Sequence, residues 1–229
     1  MKKRLLASVV VSLLAGTASA QSVFQGFYGQ LSTGYENNTI ANSSPTITGQ
    51  ISATGQGTGT SSNGNVPLIA GLGYTFSLTP QYTLGLGADY SFLNQNTSNI
   101  STNWTGGASG NSGNYNYQIS NRANIYVTPG YVLNKDALVY LKAGYSMENL
   151  QAKVSGGGSN SNTATASGYI VGLGYKQMIT SGIYGFAEGN YMSYSKPQMT
   201  SSIAAGTNVN FNPGAPSAYQ ILVGVGYKF

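Results

Sequence analysis

The 229-residue chain has no cysteine and no histidine, and only 7% of its residues are charged. Each shortage removes a class of function. Without cysteine there are no disulfides and no thiolate metal ligands. Without histidine, neither a Ser-His-Asp nor a Cys-His nucleophile can be assembled. A water-soluble domain carries charge on about a quarter of its residues, so a chain this poor in charge would not cover a globular surface. Disorder goes with few aromatics and high charge, whereas 11% of this chain is aromatic and 41% apolar. Long apolar runs are also missing. Beyond the first twenty residues glycine interrupts each of them, and none approaches the roughly twenty residues of a membrane helix.

The first twenty residues have a different grammar. Lys2, Lys3 and Arg4 make a basic start, Leu5 to Leu14 an apolar stretch, and Ala18-Ser19-Ala20 a small-residue cleavage site. Residues 1–20 are therefore expected to be a signal peptide and residues 21–229 a single mature domain beginning at Gln21. With the leader gone, seven basic residues face five acidic ones, so most of the formal excess of +5 belongs to the leader. No basic stripe remains that could neutralise a run of phosphates, which excludes nucleic acid as the expected partner.

What the chain does contain is period-two alternation. At its C-terminus Tyr219, Ile221, Val223, Val225, Tyr227 and Phe229 share one face, and Gln220, Leu222, Gly224, Gly226 and Lys228 the other. The same reading gives strands at 25–35, 66–76, 82–92, 121–133, 137–146, 168–176, 183–194 and 218–229. Each is near the 9 to 11 residues that cross a bilayer when tilted. Tight polar turns at 77–81, 134–136 and 179–182 alternate with long Ser/Thr/Asn/Gly loops at 36–65, 93–120, 147–167 and 195–217. Short turns on one side and long loops on the other predict an all-β chain folded as an eight-stranded antiparallel up-and-down transmembrane β-barrel. Unpaired amides are not tolerated in hydrocarbon, so the first strand must pair with the last.

The pattern also sorts side chains. Tyr74, Tyr131, Tyr175 and Tyr227 fall at the turn-side ends of strands and Tyr35, Tyr90, Tyr145 and Tyr191 at the loop-side ends, as two aromatic girdles would. Glycines of four strands face Tyr28, Gln30, Tyr126, Tyr140, Lys142, Tyr184 and Phe186 of the others, which predicts a filled lumen. Asp89, Arg122, Lys142 and Glu188 fall on the lumen face, where Asp89 is expected to pair with Arg122 and Glu188 with Lys142. Lys176 and Lys228 lie near the lower exit. Asp89 and Glu188 are the one carboxylate pair that could serve acid–base catalysis, and two separate ion pairs are the plainer reading. No catalytic, cofactor or metal site is expected.

The opening Gly26-Phe27-Tyr28-Gly29, the Gly-x-Gly-Tyr strand ends and the closing Val225-Gly226-Tyr227-Lys228-Phe229 resemble the small eight-stranded outer-membrane barrels. That family is typified by the OmpA transmembrane domain, OmpX and the opacity-type surface proteins. The resemblance implies a bacterial outer-membrane location with both termini periplasmic. It also implies outer-membrane lipid as solvent and a C-terminal signal at Val225, Tyr227 and Phe229 read by the barrel-assembly machinery. Three functions stay open: a non-enzymatic structural or surface protein whose loops take an extracellular ligand, a narrow porin-like channel for ions or small solutes, and a lipid-acting enzyme.

Overall fold

The computed structural model describes residues 22–41, 44–58, 60–155, 161–204 and 206–229. The leader with its cleavage site at 1–21, Asn42, Gly59 and the glycine run 156–160 lie outside them. The described chain is all β. Strands β1 (Gly26–Ile40), β5 (Leu68–Ser77), β6 (Tyr82–Ser91), β9 (Ser112–Asn134), β10 (Ala137–Val154), β11 (Ala164–Met178), β12 (Ile183–Tyr194) and β15 (Pro216–Lys228) form the barrel wall. Seven shorter strands lie within the connections: β2 (Thr46–Gly49), β3 (Ala53–Thr58), β4 (Ser61–Asn65), β7 (Gln95–Asn96), β8 (Ile100–Gly106), β13 (Met199–Ala204) and β14 (Thr207–Phe211).

The eight wall strands pair antiparallel with their sequence neighbours in the wall, and β1 pairs with β15 from Tyr28↔Lys228 to Ile40↔Pro216. The ring therefore has no open edge, as its solvent demands. The odd-numbered flank from Tyr219 to Phe229 points outward and is exposed along its length, 76% at Phe229. Outward positions elsewhere are also apolar, among them Leu72, Leu86, Ile125, Leu141 and Leu173.

Inside, small residues face large ones. A Cβ added at Gly174 would stand within the Tyr140 ring, and one at Gly226 within the Tyr184 ring. Tyr28, Tyr126, Tyr140, Tyr184 and Phe186 are buried there. Phe24, Leu138 and Tyr140 form an apolar cluster at the turn-side end.

The long connections depart from the expectation of loops. β1 runs on to Ile40, β10 to Val154, and β9 begins at Ser112. The polar residues that suggested loops include many Thr and Ser that tolerate a pleated surface, and apolar residues keep alternating among them, as in Tyr115, Tyr117 and Ile119. A second ring results. β9 pairs with β8, β8 with β3, β3 with β2, β2 with β14 and β14 with β13. The Asn162 amide donates to the Thr200 carbonyl (2.9 Å) and the Ser161 amide to the Ala152 carbonyl (3.0 Å), which carries the circuit back to β10. Ile40, Ile47, Ile100, Tyr117, Leu150, Met199 and Phe211 are among the buried side chains that fill it. Trp104 packs against this core.

One residue sets the phase between the two rings. Asn121 has φ of +52° and lies in a bulge where the β9–β10 register slips between Met147 and Asn149. On the outer side of it Tyr115, Tyr117 and Ile119 face inward, and below it Arg122, Asn124 and Tyr126 do. Asparagine tolerates the left-handed region where a β-branched residue does not, and its Oδ1 accepts from the Tyr90 hydroxyl at 2.8 Å. Asn121→Gly should be nearly neutral, whereas Asn121→Val should cost about 1–3 kcal/mol, read as a lower urea midpoint of the detergent-folded protein.

Candidate functional site in the lumen and its roof

Strand alternation delivers polar side chains from six wall strands to one level of the lumen. Lys142 on β10 sits between two carboxylates, its Nζ 3.0 Å from Asp89 Oδ2 and 2.8 Å from Glu188 Oε1, and 4.0 Å from the centre of the Tyr126 ring. Asn124 donates to Asp89 Oδ1 at 2.5 Å. Tyr140 and Asn190 donate to Glu188 at 2.8 and 2.7 Å. Asn190 reaches Gln220 Oε1 at 3.4 Å, and Gln220 donates to Glu36 Oε2 at 2.5 Å.

Glu36 belongs to a second centre built on Arg122. The guanidinium binds Glu36 Oε1 through Nη1 at 2.5 Å, Asn38 Oδ1 through Nη2 at 2.7 Å, and Glu148 Oε2 through both Nε (2.9 Å) and Nη2 (2.7 Å). Every member of the two centres is buried. They form one continuous network from Asn124 through Asp89, Lys142, Glu188, Asn190, Gln220, Glu36 and Arg122 to Glu148.

This geometry corrects one sequence expectation: Asp89 pairs with Lys142 and not with Arg122. The reason is the bulge at Asn121, which directs Arg122 across to Glu148 on β10 and to Glu36 on β1. Glu188 and Lys142 are joined at 2.8 Å. Two members, Glu36 and Glu148, escaped the sequence reading because it ended their strands at or just before these residues. The signal was present, since Tyr28, Gln30, Ser32, Glu36 and Asn38, and likewise Tyr140, Lys142, Ser146 and Glu148, keep even parity.

The carboxylate pair that the sequence offered for acid–base chemistry is held in ion pairs. Asp89 and Glu188 share Lys142, and the remaining Glu188 oxygen accepts from Tyr140. Outward of Arg122 the lumen meets the apolar core of the second ring, with Ile40, Tyr117, Ile119 and Leu150 almost wholly buried. The lumen is thus filled along its axis and roofed on the loop side.

The remaining sequence-derived positions are on the outer wall. Tyr35, Tyr90, Tyr145 and Tyr191 stand exposed on the loop side. Tyr219 stands near Tyr35, their ring centres 6.1 Å apart. Tyr131, Tyr175 and Tyr227 are exposed on the turn side, and Tyr74 packs edge-on to Phe27 at 4.7 Å. Val225, Tyr227 and Phe229 project outward at the last strand's end, with the Tyr227 and Phe229 rings 5.1 Å apart.

A closed eight-stranded wall, apolar outside and polar inside, is a membrane barrel, and the model of the outer membrane protein beta-barrel domain matches residues 6–229. The chain belongs to that family. This family member is a bacterial outer-membrane protein. No curated protein sequence matches it significantly. Among solved structures it is similar to the outer membrane protein OprG from Pseudomonas aeruginosa, with 14% identity, TM-score 0.50, and coverage of 92% of this chain and 98% of that one. Ail of Yersinia pestis, solved with the heparin analogue sucrose octasulfate, is 11% identical with TM-score 0.42, covering 89% and 99%. The outer membrane protease OmpT from Escherichia coli is 12% identical with TM-score 0.46, covering 93% and 100%. A fold alone leaves activity open.

The network makes a sharp energetic claim. Lys142→Met should destabilise the barrel by about 3–5 kcal/mol, because two buried carboxylates lose their shared cation. Adding Asp89→Asn and Glu188→Gln to that variant should restore most of the loss, measured by urea unfolding in detergent.

Proposed function

We propose that the protein is a non-enzymatic surface protein in which a plugged barrel anchors a rigid outward module. The observation that carries this reading is the second ring with its own apolar core, seated over a lumen already filled by tyrosines and ion pairs. A filled, roofed lumen argues against the narrow-channel alternative, and the saturated Asp89 and Glu188 argue against hydrolytic chemistry. In the same reading residues 1–20 are a cleaved signal peptide, both termini and the tight turns face the periplasm, and the two tyrosine sets are girdles at the membrane interfaces. Val225, Tyr227 and Phe229 are the signal that the assembly machinery reads.

The surface that the module offers is polar but almost uncharged. Beyond the upper tyrosines the exposed or half-buried charges are Lys153 and Lys196, with no carboxylate among them. Hydroxyl and amide groups dominate instead, so the external ligand class that fits best is neutral and hydrogen-bonding. A polysulfated glycan such as the one bound to Ail would have two lysines to engage.

The absence of native cysteine makes the orientation directly testable. A single cysteine at Asn111 should react with a membrane-impermeant maleimide on intact cells, and one at Gln81 should react only after the outer membrane is opened; the reverse pattern would overturn the orientation. In planar bilayers the purified protein should give no discrete conductance steps, and replacing the hairpin tips at 49–52 and 106–111 should change ligand binding without changing the heat-modifiable gel shift of the folded barrel.

A further inference from the structure

The network leaves one lumen cation aside. Lys176 on β11 is 92% buried, with 8% of its surface exposed, yet its ammonium makes no hydrogen bond or ion pair with any described residue. Glu188, the nearest carboxylate of the network, is already occupied by Lys142, Tyr140 and Asn190. Lys176 Nζ is held instead by ring faces, 4.3 Å from the centre of Tyr28, 4.9 Å from Tyr184 and 5.3 Å from Tyr140. Ring faces stabilise a desolvated cation but accept none of its three N–H groups in the manner of an oxygen. What acceptor the ammonium meets must therefore come from outside the described residues, through the pocket that it lines.

The ammonium lines a cavity that supplies the place for one. Phe24, Tyr28, Leu138, Lys176, Tyr184 and Lys228 line an inner pocket of about 10 Å³ at the turn-side mouth, room for one water-sized atom group. Lys228, half-buried, also lines a wider cup of about 420 Å³ directly outside it, with Asp136 on the rim. The two lysines outnumber that carboxylate. The other end of the lumen is roofed by the second ring, so the cup is filled from the turn side alone.

We propose that the turn-side mouth binds an oxyanion of the phosphate class, one oxygen entering the inner pocket to meet Lys176 and the body of the anion lying in the cup against Lys228. Two ammonium groups lining the pocket favour an acceptor of negative charge, the pocket admits a single oxygen, and the cup accommodates the rest. The same chemistry is offered by free phosphate and by the headgroup of an anionic lipid in the adjoining leaflet. That this mouth opens to the periplasm rests on the orientation proposed above; binding itself does not.

Two arms separate the sources. Detergent-folded protein free of lipid is titrated with inorganic phosphate at constant ionic strength and followed by calorimetry. Protein in phosphatidylcholine nanodiscs, with and without phosphatidylglycerol and without free phosphate, is followed by phosphorus NMR for a bound headgroup. Saturable binding in the first arm identifies a free anion, and a bound phosphatidylglycerol signal in the second alone identifies lipid. Lys176→Met should weaken either at least tenfold, and Lys228→Gln several-fold. Lys228→Gln lies outside the buried network and keeps the test intact if Lys176→Met fails to fold. No saturable binding in either arm, or affinity unchanged in the folded variants, overturns the proposal. A failure of the cysteine-labelling pattern would move the site to the other side of the membrane without removing it.

Discussion

Every backbone amide that enters hydrocarbon must find its partner within the protein, and the rest of this structure follows from that requirement. It forces the first strand onto the last, which closes the ring. A ring of eight strands encloses a space that side chains can fill. The glycines of β5, β6, β11 and β15 are therefore not spare: they make room for the tyrosines and the phenylalanine that approach from β1, β9, β10 and β12. Polar groups carried by the same alternation have no water to turn to and must satisfy one another.

The lumen network is the outcome of that second necessity. Two cations each hold two carboxylates, four amide side chains and a tyrosine donate to three of those carboxylates, and Glu148 Oε1 alone among their oxygens is left without a partner among the described residues. Such buried pairs add little net stability compared with apolar packing, but they penalise any slip in register. A one-residue slip of any contributing strand would carry its polar group to the lipid side. The network thus acts as a register lock spanning six strands.

The ring and the filled interior were legible from the sequence because period two is strict there and the solvent permits few alternatives. The turns at 77–81, 134–136 and 179–182 fell as read. Beyond the upper tyrosines the reading stopped short for a physical reason. Polarity usually signals a loop, and in the stretches around Thr46, Thr102 and Asn208 it coincides with strands whose apolar faces are sparse and short. Asn121 hid a different fact. A single left-handed residue reverses inward and outward parity, so an alternation count that runs through it assigns one half of β9 to the wrong face. Arg122 was nonetheless placed on the correct face; its pairing with Asp89 failed because the β6–β9 register sets Asn124 opposite Asp89, and Glu36 and Glu148 were lost by ending two strands early.

β9 is 23 residues long and β10 is 18, so β9 alone is about twice the 9 to 11 residues that a tilted strand needs to span a bilayer. Both run unbroken from one ring into the next. They are common staves of two casks rather than a hinge between them. A pull applied to the second ring is borne in shear by the long β9–β10 ladder and passes straight into the membrane wall. For a protein anchored in an outer membrane, that makes the second ring a stiff extension of the wall.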